Sequence, residues 1–180
     1  MSNKKLKVIN LLGAPGSGKS TAAAGLFHQL KLRGINCELI TEYIKDKIYE
    51  QQKEAIKDQI YISAKQYHKQ FKLKDKVDIV ITDAPLILSM YYGKHLGENY
   101  LNLIKELFNE FDNYNFYLNR MHEYKNEGRF QNEKESEFLN LELKSILYDN
   151  NIEFTELLTS NDLINNIIEV LHKENLFNEN

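Results

Sequence analysis

Apolar and polar positions fall into blocks whose period changes repeatedly along this chain. Lys7-Val8-Ile9-Asn10-Leu11-Leu12 is a short, mostly apolar run that stops at Gly13, the pattern of a buried strand. From Lys19 to Arg33 the period becomes helical, with Ala22, Ala23, Leu26 and Leu30 on one face and Gly34 as the stop. Cys37 to Thr41 reads as a second strand, ending at Glu42. Lys45 to Lys74 holds no Gly or Pro and is helical in composition, with a break expected near Asp58. Val77 to Thr82 is β-branched and apolar and gives a third strand, which stops at Asp83-Ala84-Pro85. Glu98 to Phe111 is amphipathic and helical. Tyr114 to Leu118 is a fourth strand leading to Arg120, and residues 121–131 form a polar loop containing Gly128. Glu133 to Tyr148 reads as helix, Ile152 to Thr155 as a fifth strand, and Asp162 to Lys173 as a last helix capped by Ser160 or Asn161.

Strands that alternate with helices predict an α/β domain whose parallel sheet is covered on both faces. In such sheets the ligand crevice lies beyond the C-terminal ends of the strands. Gly13, Glu42, Asp83 and Arg120 each follow a predicted strand, so residues far apart in sequence are expected along one edge of the molecule.

Bulk properties narrow the class. With 180 residues, the chain fits one domain with one sizeable core. Its hydrophobic fraction of 42% and charged fraction of 27% are those of a globular protein. A net charge of -3 excludes a whole-chain basic signature for nucleic acid, though not a local basic groove around Lys94, Lys125 and Lys134. The single cysteine, Cys37, forms no internal disulfide and reads as a small buried residue. The run Val8 to Leu12 is too short for a membrane span, and the start lacks the features of a signal peptide, so a cytoplasmic location is expected.

The strongest chemistry sits at Gly13-Ala14-Pro15-Gly16-Ser17-Gly18-Lys19-Ser20, a full match to G-x-x-x-x-G-K-[ST]. The glycines let the backbone wrap a phosphate chain and bring N–H groups close to it. The helix that follows aims its N-terminal dipole at the anion. Lys19 is positioned for the β- and γ-phosphates, Ser20 for Mg²⁺, and Thr21 for the α-phosphate. A strand before the loop and a helix after it are the context this motif requires.

Two strand-end acids complete the picture. Asp83 can order Mg²⁺ or accept a proton from an attacking hydroxyl, and Glu42 can face the γ-phosphate as a general base. Which of the two is the base is open at this stage. The bland alternatives are a turn cap for Asp83 and a surface carboxylate for Glu42.

The chain has only three arginines, Arg33, Arg120 and Arg129. Arg33 ends a helix and complements its dipole. Arg120 and Arg129 bracket the polar loop after the fourth strand, where planar bidentate contact with phosphate oxygens suits a lid over a transferring phosphoryl group. Gly128 gives that lid a hinge. His122, Lys125 and Gln131 share the loop. Acceptor-side candidates lie on the segment after Glu42: Tyr49, Gln51, Gln52, Gln59, Tyr61, Gln66, Tyr67 and His68, whose rings and amides suit a base, with Tyr91 and Tyr92 across from them. Each is also an ordinary core or surface residue at helical spacing.

On these residues the chain resembles the P-loop kinase group of small nucleoside and nucleotide kinases. It is similar in particular to the branch holding the ribosylnicotinamide kinase domain of a bacterial NAD regulator. It also looks like phage-encoded P-loop kinases of the type proposed to phosphorylate 5-hydroxymethyluracil in phage DNA. The resemblance rests on GAPGSGKST at 13–21, LITEY at 39–43, DIVITDAP at 78–85, NFYLNR at 115–120, Gly128-Arg129-Phe130-Gln131 and NNIEF at 150–154. It implies a three-layer P-loop NTPase fold with a five-stranded parallel sheet and ATP with Mg²⁺ as donor. It further implies a single domain over 1–180, with a lid at about 120–133, and a cytoplasm that is the host's if the chain is phage-encoded. The helical stretch at about 43–74 is read as the acceptor side. Unlike many nucleoside kinases, the chain carries no Asp-Arg pair after the third strand, since Asp83 is followed by Ala84-Pro85.

The leading expectation is therefore transfer of the ATP γ-phosphate to a hydroxyl of a nucleoside-like acceptor, leaning to a hydroxymethylated base in DNA (thymidine hypermodification). A free nucleoside, nicotinamide riboside or a nucleoside monophosphate is the alternative. A regulatory P-loop ATPase without a small-molecule acceptor shares Lys19, Ser20 and Asp83. No Asn-Lys-x-Asp segment supports guanine reading.

Overall fold

The computed structural model describes residues 5–120 and 133–176; the side chains of residues 46, 53 and 133–136 lie outside the description. Five strands, β1 (Lys7–Leu12), β2 (Cys37–Ile40), β3 (Ile79–Thr82), β4 (Asp112–Asn119) and β5 (Thr155–Leu158), form one sheet in the order β2-β3-β1-β4-β5. Every pairing is parallel. All five C-terminal strand ends therefore open onto the same edge, as the alternation of elements predicts.

Helices cover both faces. α1 (Lys19–Leu32) and α8 (Leu163–Lys173) pack on one side, where Leu26, Leu30, Ile167 and Leu171 bury against Ile9 and Leu11. α6 (Glu98–Asn109) and α7 (Glu133–Asp149) pack on the other, where Ile104, Phe108, Leu143 and Leu147 meet Leu12 and Tyr117. Ile9 and Leu11 point one way from β1 and Val8, Asn10 and Leu12 the other, as the two-residue period of a strand demands. With both faces covered, β1 and β3 have no polar-out positions to alternate with, which is why they read as apolar runs. Cys37 is fully buried, and burial pushes its thiol up.

Two boundaries depart from the sequence reading for physical reasons. The fifth strand is three residues later than expected. Ile152 and Phe154 are apolar because they pack onto the α6–α7 side, whereas β5 lies at the sheet edge, with Thr155 and Leu157 half-buried and Glu156 and Leu158 exposed. β4 starts at Asp112, two residues early. Its polar Asn113 and Asn115 belong inside, because each Oδ1 accepts from the fully buried Asn10 Nδ2, at 2.9 and 3.0 Å.

The stretch between β2 and β3 is three helices, α2 (Tyr43–Tyr49), α3 (Lys53–Lys57) and α4 (Gln59–Phe71). The break expected near Asp58 exists, and Asp58 makes it: its Oδ1 accepts the Tyr61 N–H at 3.0 Å and caps α4. A second break falls at Gln51, which adopts φ +56. α8 is preceded by Asp162 as cap residue, not Ser160 or Asn161, and Ser160 Oγ instead accepts the Asp162 N–H at 3.3 Å in the turn before it.

α5 (Ser89–Tyr92) follows the Asp83 turn and is wedged beneath α6. Gly93, just past it, leaves no room for a side chain: a Cβ there would lie 2.2 Å from the ring of Tyr100, which is buried and donates to the Gln59 carbonyl at 3.4 Å. Gly93→Ala is expected to cost about 1–3 kcal/mol by overpacking, read as a lower denaturation midpoint at unchanged slope. Wild-type stability would show that Tyr100 has somewhere else to go.

Candidate nucleotide and acceptor site

The loop after β1 has the backbone that the glycines were expected to allow. Gly13, Gly16 and Gly18 take φ of +138, +83 and +81. At Gly13 the constraint is also one of space. A Cβ would stand 2.6 Å from Ser17 Oγ and 2.7 Å from the Leu118 carbonyl of β4. The loop thus lies directly on the sheet edge. Ser17 N–H closes a turn onto the Ala14 carbonyl at 3.1 Å, and α1 begins at Lys19.

Ala14, Pro15, Gly16 and Ser17 form the wall of this turn, with Ser20 and Thr21 exposed at the first turn of α1. The first amides of α1 have no intrahelical acceptor, which makes this end of the helix a place for an anion. Lys19 Nζ folds back over the turn and donates to the Gly13 and Ala14 carbonyls at 2.7 and 3.1 Å. The ammonium thus sits at the mouth of the loop.

One strut was not singled out from the sequence. Thr159 Oγ1 lies 2.9 Å from the Ser17 carbonyl and 3.0 Å from the Asn119 carbonyl, and Thr159 N–H also donates to Asn119 at 3.0 Å. Its methyl group is what a Cβ at Gly18 would meet, at 3.0 Å. Thr159 therefore ties the loop to the end of β4. The signal was its place after a strand, and the misplaced fifth strand hid it.

Asp83 and Glu42 come together behind the loop. Asp83 is 6% exposed, and its Oδ1 accepts the Glu42 backbone N–H at 3.1 Å. It does not cap its own turn: the Ala84 N–H there is taken by the Thr82 hydroxyl at 3.1 Å. Burial raises the Glu42 carboxyl above its ordinary range. Lys19 opposes that shift, while the Asp83 charge adds to it and Lys45 opposes it. Lys19, Glu42 and Asp83 are thus within electrostatic reach of one another. Tyr92 keeps 41% of its surface exposed, yet burial of its hydroxyl, then the charge of Glu42, push it up to about 12. Its ring meets Tyr91 edge to face at 5.0 Å.

A nucleoside triphosphate with Mg²⁺ fits these residues. Gly13, Gly16 and Gly18 take the positive φ that lets the loop backbone curve around a phosphate chain. The oxygen donors, Ser20 hydroxyl and Asp83 carboxylate, are hard and few. That suits an ion held jointly with phosphates, and among the described residues no cluster of three His, Cys, Asp or Glu side chains forms a cage for a metal.

Arg120 is half-buried directly after β4, on the edge where the loop and the two acids lie. Arg129, with Gly128, His122, Lys125 and Gln131, lies outside the described residues. Arg33 closes α1, donating to the Gln29 carbonyl at 3.1 Å. In the helical segment after β2, Tyr43 and Tyr61 share a hydroxyl–hydroxyl bond of 2.7 Å, with Lys65 over the Tyr61 ring. Tyr49, Gln51, Gln52 and His68 are exposed, and Gln59 Nε2 donates back to Ile56. Tyr67 belongs to the packing instead: it lies against Phe111 and donates to Glu110 at 2.9 Å. Gln66 is buried and accepts the Tyr43 N–H at 3.2 Å. Lys94 pairs with Glu142 at 3.2 Å and keeps 62% of its side chain exposed.

The raised Glu42 carboxyl fixes the sign of a pH effect. Above the ordinary value of 4.5 the folded state holds this proton more tightly than the unfolded chain does. Its contribution is present below that value and is lost as pH rises through the folded-state value. Glu42→Gln is therefore expected to raise the melting temperature at pH 8 and to leave it unchanged near pH 4. An equal shift at both ends would rule out a buried carboxyl.

A family described as an AAA domain matches residues 8–162. The fold is shared with a thymidylate kinase from Ehrlichia chaffeensis, at 17% identity and TM-score 0.63, covering 93% of this chain and 99% of that one. It is also shared with a deoxyadenosine kinase from M. mycoides solved with dCMP and a flexible dCDP bound, at 21% identity and TM-score 0.54, covering 93% and 97%. A search of curated proteins finds no match. No helix among the described residues is long and apolar enough to cross a membrane. With its glycine loop seated on a five-stranded parallel sheet and the family match spanning nearly all of that sheet, this chain belongs to the AAA domain family of P-loop proteins.

Proposed function

We propose that the chain is a kinase that transfers the γ-phosphate of ATP to a hydroxyl of a nucleoside-like acceptor. The observation that carries this reading is the meeting of Glu42 and Asp83 behind the glycine loop, within electrostatic reach of Lys19. ATP with Mg²⁺ supplies the phosphoryl group and spreads the charge of the leaving diphosphate. The backbone of Gly13 to Gly18 holds the phosphate chain, and Thr21 lies beside its α-phosphate. Lys19 trades its loop carbonyls for the β- and γ-phosphate oxygens, while Ser20 and Asp83 hold the metal ion. With one Asp83 oxygen already engaged by backbone, Glu42 is the base. It takes the acceptor's proton as the new O–P bond forms and the bond to the bridging oxygen of ADP breaks. A carboxyl lifted by burial toward the working pH suits that step. Arg120 and Arg129 neutralise the transferring oxygens. The whole chain is read as one P-loop domain, with 120–133 as lid and 43–74 as acceptor side.

For the acceptor we keep to a 5-hydroxymethyluracil base carried on phage DNA. The support is the exposed Tyr43–Tyr61 pair with Lys65 over it, a face that suits an aromatic base on an anionic strand. The kinase folds shared with this chain favour a free nucleoside or nucleoside monophosphate as the second reading.

Incubation with γ-labelled ATP and a panel of nucleosides, nicotinamide riboside, monophosphates and hydroxymethyluracil duplex, read by mass spectrometry, tests this directly. One class of acceptor gains a phosphate, and Lys19→Ala lowers transfer by at least about 100-fold. ATP hydrolysis with no phosphorylated acceptor would instead indicate a regulatory ATPase. Arg129→Ala is expected to lower turnover more than ATP affinity; weaker ATP binding at unchanged turnover would remove Arg129 from the lid role.

A further inference from the structure

The backbone that carries Glu42 is gripped by three side chains. Lys69 Nζ donates to the Thr41 carbonyl at 2.9 Å, Asp83 Oδ1 accepts the Glu42 N–H at 3.1 Å, and Gln66 Oε1 accepts the Tyr43 N–H at 3.2 Å. Residues 41 and 42 lie between the end of β2 and the start of α2 and have neither sheet nor helix pairing of their own. Two of the three bonds come from α4, the helix on the acceptor side. Gln66 is 5% exposed, a position where an apolar side chain would pack at no polar cost. Gln70, one turn later, is equally buried but makes no bond to this segment.

Resting on the kinase reading above, we propose that Gln66 and Lys69 are positioning residues for Glu42: they clamp residues 41–43 to α4, so that the helix beside the acceptor sets where the base points. Asp83 serves the clamp from the other flank. The two bonds from α4 engage opposite groups, a carbonyl and an amide, on either side of Glu42. They therefore fix both the position and the rotation of its backbone. A bound acceptor that settles α4 would settle Glu42 with it.

The test compares Gln66→Met and Lys69→Met with Gln70→Met, which loses a buried amide but no clamp. NMR without any acceptor follows amide exchange at Tyr43. Gln66→Met is expected to speed it about ten-fold, and Gln70→Met to leave it unchanged. In the phosphoryl-transfer panel, Gln66→Met and Lys69→Met lower kcat about ten-fold at unchanged KM for ATP, and Lys69→Arg restores it. Unchanged Tyr43 exchange in Gln66→Met would overturn the clamp, as would an equal change in Gln70→Met. If Glu42→Gln loses transfer while the clamp variants keep it, only this inference falls. If Glu42→Gln keeps full transfer, the base assignment falls and the clamp's purpose falls with it.

Discussion

The site depends first on the close approach of Gly13 to β4. Its α-carbon stands where any side chain would run into the Leu118 carbonyl at 2.7 Å. A backbone carbonyl in the middle layer of a sheet cannot give way as a side chain can. That contact presses the loop onto the strand ends, and Thr159 secures its far side through Ser17 and Asn119. Once the loop lies there, α1 starts at Lys19, and its first turn and the lysine ammonium lie at the crevice shared by all the strand ends. The loop is thus shaped by backbone geometry, with few side chains committed to it.

Parallel pairing supplies the second half of the site. Because β2 and β3 run side by side, Ile40 is level with Thr82, and the residues that follow, Glu42 and Asp83, meet within hydrogen-bond distance although 41 positions separate them. The sheet brings them together, and burial then raises the Glu42 carboxyl. Side chains of α4 bond the same backbone from the other flank.

Much of this was legible in the chain itself. The glycine loop, the buried strands β1 and β3 and the strand-end acids follow from motif, apolar runs and parallel topology. What stayed hidden has physical causes. β5 is an edge strand with a weak pattern, while the apolar Ile152 and Phe154 before it serve the core, so the strand was placed early and Thr159 was overlooked. The apolar pattern starts the fourth strand only at Tyr114, while the polar Asn113 before it joins β4 through its bond to Asn10. The turn at Gln51 rests on a positive φ that no residue type announced. Gln66 looked like a base-reading amide, and its carbonyl proves to hold backbone instead. That distinction depends on burial, which sequence spacing does not encode.

The central claim is that the turn from Gly13 to Ser20 grips a triphosphate. A crystal structure with a non-hydrolysable ATP analogue and Mg²⁺ tests it most directly. The account predicts the β-phosphate inside the turn, with the Lys19 ammonium moved from the Gly13 and Ala14 carbonyls onto the β- and γ-oxygens. An analogue bound elsewhere, with Lys19 still on those carbonyls, would contradict it.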